Sequence, residues 1–186
     1  PLPHWATAYR PFQPRPELGL RPRGPLRFLP EAMSVTPKPY QHSWSQDKPY
    51  GDIYTGWAQP PKDYDKWREL AYQMAKHAVD RYGRTEVESW YWEVWNEPNI
   101  AYWKGTMEEY FTLYDYTADA VKRALPSARV GGPTSTGPRW DKAADFLNSF
   151  LQHWVNGKNY ATGKTGSKLD YITFHAKGNP SVGNNH

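Results

Sequence analysis

Trp92-Glu93-Val94-Trp95-Asn96-Glu97-Pro98-Asn99 is a β-type run that carries an Asn-Glu pair to the proline that stops it. Proline has no N–H to give to a ladder, so the strand ends there and Glu97 falls at its C-terminal end. Read backward, the strand is expected over Glu88 to Asn96, with Trp90, Trp92 and Val94 on one side and Tyr91, Glu93 and Trp95 on the other. Apolar residues on both faces indicate a strand covered on both sides, as in a parallel sheet. A carboxylate held at a strand end, with an amide beside it and aromatic rings around it, suits acid-assisted cleavage of a sugar bond. Glu93, on the face of Glu97 but deeper in the strand, is expected to anchor the sheet or pair with an arginine.

Outward from this strand, helical and strand patterns alternate. Asp63 caps a helix whose apolar residues Tyr64, Trp67, Leu70, Met74, Ala78 and Tyr82 recur at spacings of three and four, with Gly83 at its end. Thr106-Met107-Glu108-Glu109 is a capping box, opening a helix with Tyr110, Leu113, Tyr114, Thr117, Val121 and Ala124 that stops at Pro126. Ala128 to Pro133 reads as a short strand. The next helix carries Trp140, Ala144, Leu147, Leu151, Trp154 and Val155 on its apolar stripe and ends at Gly157. Asp170 to His175 is the last strand, and Ala176 to Pro180 its loop. Short apolar strands joined by helical crossovers define the α/β class.

The N-terminal part differs. Pro1, Pro3, Pro11, Pro14, Pro16, Pro22 and Pro25 alternate with arginines, so residues 1–27 are expected to be an extended or disordered segment, with the folded domain spanning 28–186. Leu26-Arg27-Phe28-Leu29 is a strand candidate running into Pro30 and Glu31. Tyr40 to Pro61 is a long loop containing His42, Trp44, Asp47, Tyr50 and Trp57, whose aromatic rings, Trp44 and Trp57 above all, are candidates to line a sugar subsite.

Composition narrows the functional classes. The chain has 186 residues, no cysteine and a formal charge of +4. Disulfides and cysteine-ligated metals are excluded, and no run reaches the roughly 18 apolar residues of a membrane helix. The first residues, Pro1-Leu2-Pro3-His4, show no charged and apolar leader pattern, which leaves the compartment open. The positive charge sits largely in the arginines of residues 1–27 and forms no helical stripe, so nucleic acid is not an expected partner. Ten Trp, 14 Tyr and 6 Phe are more aromatics than an ordinary core uses; they fit sugar stacking, or simply helix packing.

Trp95-Asn96-Glu97-Pro98 at a strand end resembles the acid/base motif of the clan A retaining glycoside hydrolases, and with Asn99 it is most similar to glycoside hydrolase family 39, the β-xylosidase and α-L-iduronidase family. The resemblance implies an α/β fold, part of a TIM (β/α)8 barrel covering strands three to six, because a complete barrel takes about 250 residues. It implies Glu97 as the catalytic general acid/base and Asn96 as the amide that bonds the sugar 2-hydroxyl. It places Phe174-His175-Ala176-Lys177-Gly178 where family members contact sugar, making His175 and Lys177 substrate-binding candidates. The His-x-Lys-Gly pattern resembles the iduronidase branch, whose lysine faces a uronate carboxylate, whereas Ile100 stands where that branch has histidine.

The family's nucleophile is a glutamate after the seventh strand, and nothing here matches it. Glu31, Asp47 and Asp52 lie in loops, and Asp170 begins a strand. The expectation is therefore a truncated glycoside hydrolase with little or no activity. Residues 1–27 are expected to lie outside the family pattern. Half a barrel leaves sheet edges and an apolar face open, so self-association into a homo-oligomer, by pairing or domain swapping, is expected. Xylosides or uronides are the carbohydrate partners, and no cofactor or metal is implied. Two other readings stay open: a non-catalytic carbohydrate-binding module and a purely structural oligomer.

Overall fold

The computed structural model describes residues 23–26, 29–41 and 54–176. Its centre is a four-stranded parallel sheet made of β1 (Arg23–Leu26), β4 (Tyr91–Val94), β5 (Arg129–Thr136) and β6 (Tyr171–His175), in the spatial order β1-β4-β5-β6. Two short strands, β2 (Tyr40–Gln41) and β3 (Tyr54–Gly56), pair antiparallel to each other between β1 and the first helix. The helices are α1 (Tyr64–Tyr82), α2 (Arg84–Glu88), α3 (Met107–Ala124) and α4 (Asp141–Asn156). Each strand of the central sheet lies beside the next one in the chain, with no reversal. Doubly wound sheets reverse their order at a switch point, whereas barrels advance in one direction. The parallel α/β expectation therefore holds, with the winding sense of a barrel.

Both faces of β4 are covered: Trp92 and Val94 on one side and Glu93 and Trp95 on the other are each 2% exposed or less. The strand is shorter than its apolar run. Glu88 is not part of it but closes α2, a single turn in which Val87 is buried and Arg84 pairs with Glu88 at 2.8 Å. At the other end Trp95 takes φ 70°, outside the β region, and so ends the ladder. β5 is longer than expected and runs to Thr136. β1 lies at Arg23–Leu26 rather than Leu26–Leu29, so the Pro/Arg-rich stretch enters the sheet; Leu29 forms a bridge with Trp57 instead.

The cap signals hold. Asp63 Oδ1 accepts the N–H groups of Asp65 and Lys66 at 3.0 and 3.1 Å, and Gly83 at φ 84° ends α1. Thr106 and Glu109 exchange both bonds of the capping box, at 3.1 and 2.7 Å. The buried centre of α1 falls on Trp67, Ala71, Ala75 and Ala78, rotated from the expected stripe toward small residues. Three alanines let α1 lie close to α3, with Trp67 Nε1 donating to Thr117 Oγ1 at 2.8 Å across the seam. Burial of each large side chain there contributes about 1.5–3 kcal/mol.

The stripe of α4 is corrected by one residue. Ala143, Phe146, Phe150 and His153 face inward, while Trp140 and Val155 are 76% and 54% exposed. Hydropathy alone rejects a histidine as a core residue. Here His153 Nε2 lies 3.0 Å from Asp115 Oδ2, and its ring stacks between Phe111 and Tyr160 at 4.8 and 5.7 Å. Asp115 also accepts the Tyr160 N–H at 2.8 Å and the Ser167 hydroxyl, tying α3, α4 and the loop before β6 together.

β6 departs from the two-sided burial seen in β4. Its residues alternate, and Ile172 and Phe174 are 44% and 46% exposed. It is an edge strand within the described residues.

Candidate active site

The strand-end motif is shaped by two residues in left-handed backbone conformation, Trp95 at φ 70° and Glu97 at φ 48°. Each costs about 1–2 kcal/mol for an L-residue and persists only where surroundings hold it. Those surroundings are specific. The Trp95 N–H donates to Leu26 O at 3.0 Å and the Glu97 N–H to Thr134 O at 2.8 Å, so the turn is fastened to both flanking strands. The Trp95 indole donates to Tyr102 O at 3.0 Å and packs edge-on against Trp103 at 5.0 Å. Asn99 completes the fixture: its Nδ2 donates to Thr136 Oγ1 at 2.6 Å and its Oδ1 accepts the Thr136 N–H at 2.9 Å.

So held, Glu97 is 4% exposed, and its Oε1 lies 2.6 Å from His175 Nδ1 at the end of β6. The His175 side chain is 37% exposed, which leaves the pair open to solvent from its side. At 2.6 Å one proton serves both atoms: either imidazole donates to carboxylate or carboxyl donates to imidazole. A carboxyl with a proton-exchanging neighbour, buried on one side and reachable on the other, has the geometry of a general acid/base. Thr134 Oγ1 and Thr173 Oγ1, 2.8 Å apart, join β5 to β6 just below. The Tyr171 hydroxyl donates to Trp92 O at 2.8 Å, spanning β5 to reach β4.

Glu97 and His175 are therefore brought together. Asn96 stands beside them, half-buried. Trp57 is half-buried, with its indole N–H on Pro37 O at 3.0 Å. Trp44 and Lys177 lie outside the described residues, as do Asp47 and Asp52. Glu93 is buried at 1% and sits within the strand. Asp170 is at the opposite end of the sheet, where Oδ2 accepts the Val130 N–H at 2.8 Å and meets Lys122 Nζ at 2.7 Å. Glu31 is exposed on a 3-10 turn. Sequence reasoning missed the supporting roles of Thr134 and Thr136; their signal was the Thr-Ser-Thr run directly after Gly132-Pro133, in register with the strand that ends in His175. Among the described residues, no three His, Cys, Asp or Glu side chains group closely enough to hold a metal ion. None of the described helices is long and apolar enough to cross a membrane.

A one-directional parallel sheet with Glu97 and His175 past its strand C-termini defines an α/β protein with its candidate site at the end of the sheet that barrel folds use. The family model described as glycosyl hydrolases family 39 matches residues 15–185, and the chain belongs to that family. The match begins well before residue 28, so residues 15–27 carry family sequence, contrary to the expectation for the Pro/Arg-rich segment. A β-xylosidase of Caldicellulosiruptor saccharolyticus is 37% identical over 162 residues, 86% of this chain and 28% of the relative. An α-L-iduronidase of Canis lupus familiaris is 34% identical over 115 residues, 60% of this chain and 17% of the relative. Among solved structures, a monomeric β-xylosidase from Caulobacter crescentus CB15 superposes with a TM-score of 0.65 at 32% identity, over 92% of this chain and 30% of that one. The chain thus spans less than a third of the length of these relatives.

Proposed function

We propose that this chain carries the acid/base half of a retaining glycoside hydrolase acting on terminal β-xylosidic bonds. The observation that supports this most directly is the buried Glu97 carboxyl held 2.6 Å from His175 at the sheet's C-terminal end. In this reading Glu97 protonates the leaving oxygen and later takes a proton from water. Asn96 donates to the sugar 2-hydroxyl, a contact that strengthens in the transition state. His175 orients the carboxyl, and Trp44 and Trp57 offer apolar faces to the sugar. Retaining hydrolysis also needs a second carboxylate about 5–5.5 Å from the first. No residue of this chain is assigned to that role, so the chain by itself is expected to turn over slowly or not at all.

The α-L-iduronidase relatives favour a second substrate class, uronic acid glycosides, with Lys177 as the cation that pairs with the uronate carboxylate. Ile100 weighs against it. A partial barrel that self-associates is part of the same proposal, supported by the open edge at β6 and its exposed Ile172 and Phe174. A monomer by light scattering at micromolar concentration would remove that part.

The test is nitrophenol release from aryl β-D-xyloside by this chain and by Glu97→Gln, together with calorimetric titration of both with xylobiose. Saturable binding without turnover is the expected result, and Asn96→Ala should weaken it. Turnover that vanishes in Glu97→Gln would show a complete site and overturn the half-site reading. Absence of both binding and turnover would overturn the sugar reading.

A further inference from the structure

A cleft of about 290 Å³ opens between the last turns of α3 and the loop 157–170, at the end of the sheet opposite Glu97. The strands are parallel, and this loop leads into the start of β6 while Glu97 and His175 lie past strand ends. Four cations line the cleft, Lys122, Arg123, Lys164 and Lys168, against one lining carboxylate, Asp119, with a second, Asp170, paired to Lys122 at its margin. Asp119 is already engaged by Arg68, whose Nη2 and Nε lie 2.5 and 2.7 Å from its Oδ2. Arg123 Nη1 also lies 4.0 Å from Asp119 Oδ2, so with Arg68 included five cations stand against Asp119 and Asp170, and the excess is positive, carried mainly by Lys164 and Lys168.

Lys122 and Arg123 are placed by the fold rather than loosely hung. Lys122 Nζ is held 2.7 Å from Asp170 and its side chain is only 20% exposed. The Arg123 guanidinium lies over the Tyr72 ring at 5.5 Å. On the other wall, the buried Asn159 organises the loop: its Oδ1 accepts the N–H groups of Ala161 and Thr162, both at 3.0 Å, and its Nδ2 donates to Gly166 O at 3.3 Å. Gly163 and Gly166 at φ 72° and 78° make the tight path that brings Thr162, Lys164 and Thr165 to the mouth. Like charges gathered this way repel, and a counter-ion in their midst relieves the repulsion.

We propose that this cleft binds a tetrahedral oxyanion, phosphate or sulfate, either free or as the ester group of a small molecule. The ammonium, guanidinium and hydroxyl groups give charge-assisted donors from two walls, the chemistry that recognises such oxygens. The volume sits at the lower end of small-molecule sites, about 300–1,000 Å³, and so admits an anion with a small organic body. The site rests on no part of the sugar-site reading, and its occupancy is independent of Glu97.

The experiment is isothermal titration of the chain at low ionic strength with inorganic phosphate, inorganic sulfate, glycerol 3-phosphate and glycerol, repeated on Lys164→Gln/Lys168→Gln. Saturable binding of the three anions and none of glycerol is expected, weakened about tenfold in the double variant, roughly 1.4 kcal/mol. Tighter binding of glycerol 3-phosphate than of phosphate assigns the ester; equal binding assigns the free ion. Both lysines are exposed, so the variant should keep its fold. Should its melting temperature fall, a sodium chloride series on the unaltered chain decides, because the affinity must drop as salt screens the cations. No saturation, an unchanged affinity in a folded double variant, or salt-independent affinity overturns the proposal.

Discussion

Asn99→Ala removes the fixture that holds the Glu97 turn, and its effect can be worked from the contacts. Two hydrogen bonds are lost, of 2.6 and 2.9 Å, both to Thr136 in a part-buried setting. A typical net contribution is about 0.5–1.5 kcal/mol per bond, and the Thr136 N–H and hydroxyl left behind add to the loss where water cannot reach them. Two left-handed residues, Trp95 and Glu97, then have one less restraint on a conformation that costs about 1–2 kcal/mol each. The expected destabilisation is about 2–3 kcal/mol, a fall of roughly 4–12 °C in melting temperature for a chain of this size. Asn99→Asp keeps the acceptor for the Thr136 N–H and loses the donor, so it should fall by about half as much. Calorimetry reads the stability, and the His175 ring signals in NMR read whether Glu97 still meets it. A melting temperature within about 1 °C of the unaltered protein, with the His175 signals unmoved, would refute the claim that Asn99 holds the turn.

Three further outcomes are open to direct measurement. Asp115→Ala leaves the His153 ring, the Tyr160 N–H and the Ser167 hydroxyl without their common acceptor; a loss of about 3–5 kcal/mol in urea unfolding is expected, and less than about 1 would show that the loop is held by other means. Gly131→Ala puts a Cβ 2.4 Å from the Tyr171 carbonyl oxygen and 2.7 Å from its ring, so β6 must shift, at about 1–3 kcal/mol, with loss of the Glu97 to His175 contact as the NMR sign; an unchanged contact would contradict the register described. The hydrogen bond from the Tyr160 hydroxyl to Glu108, 2.5 Å long, helped by partial desolvation, pushes the phenol from 10.0 up to about 12. The raised value means that this stabilisation is fully present below pH 10 and is lost as pH rises through about 12. Ultraviolet titration should show one tyrosine moving toward pH 10 in Glu108→Gln, and a curve identical to the parent would count against the assignment.

Much of the fold was legible because its signals are local. Asp63, Gly83 and the Thr106–Glu109 box marked helix ends by hydrogen bonds that their own side chains make. The parallel sheet was legible from β4, whose two-sided apolar run needs cover on both faces. The errors have a different origin. His153 counts as polar until Asp115, 38 positions away, is known to meet it, so the face of α4 was read one residue off. β1 was displaced because prolines and arginines suppress any strand pattern, and only pairing with Tyr91–Val94 makes Arg23–Leu26 a strand. At the candidate site, Glu97 was legible from its neighbours in sequence, and its contact with His175, 78 positions away, rests on a strand alignment that no local pattern carries.

That contact has a mechanical side. Among the described residues β6 is an edge strand with little apolar cover, the kind most free to slide along its neighbour. It is pinned at both extremities by charged or ionisable contacts: Asp170 to Val130 and Lys122 at its entrance, and His175 to Glu97 at its exit. A two-residue slip, the smallest that keeps the same side chains on each face, moves the strand by about 7 Å and severs both pins together. Glu97, proposed above for proton transfer, thus also measures the strand, so replacing it also loosens the ruler that sets where His175 stands.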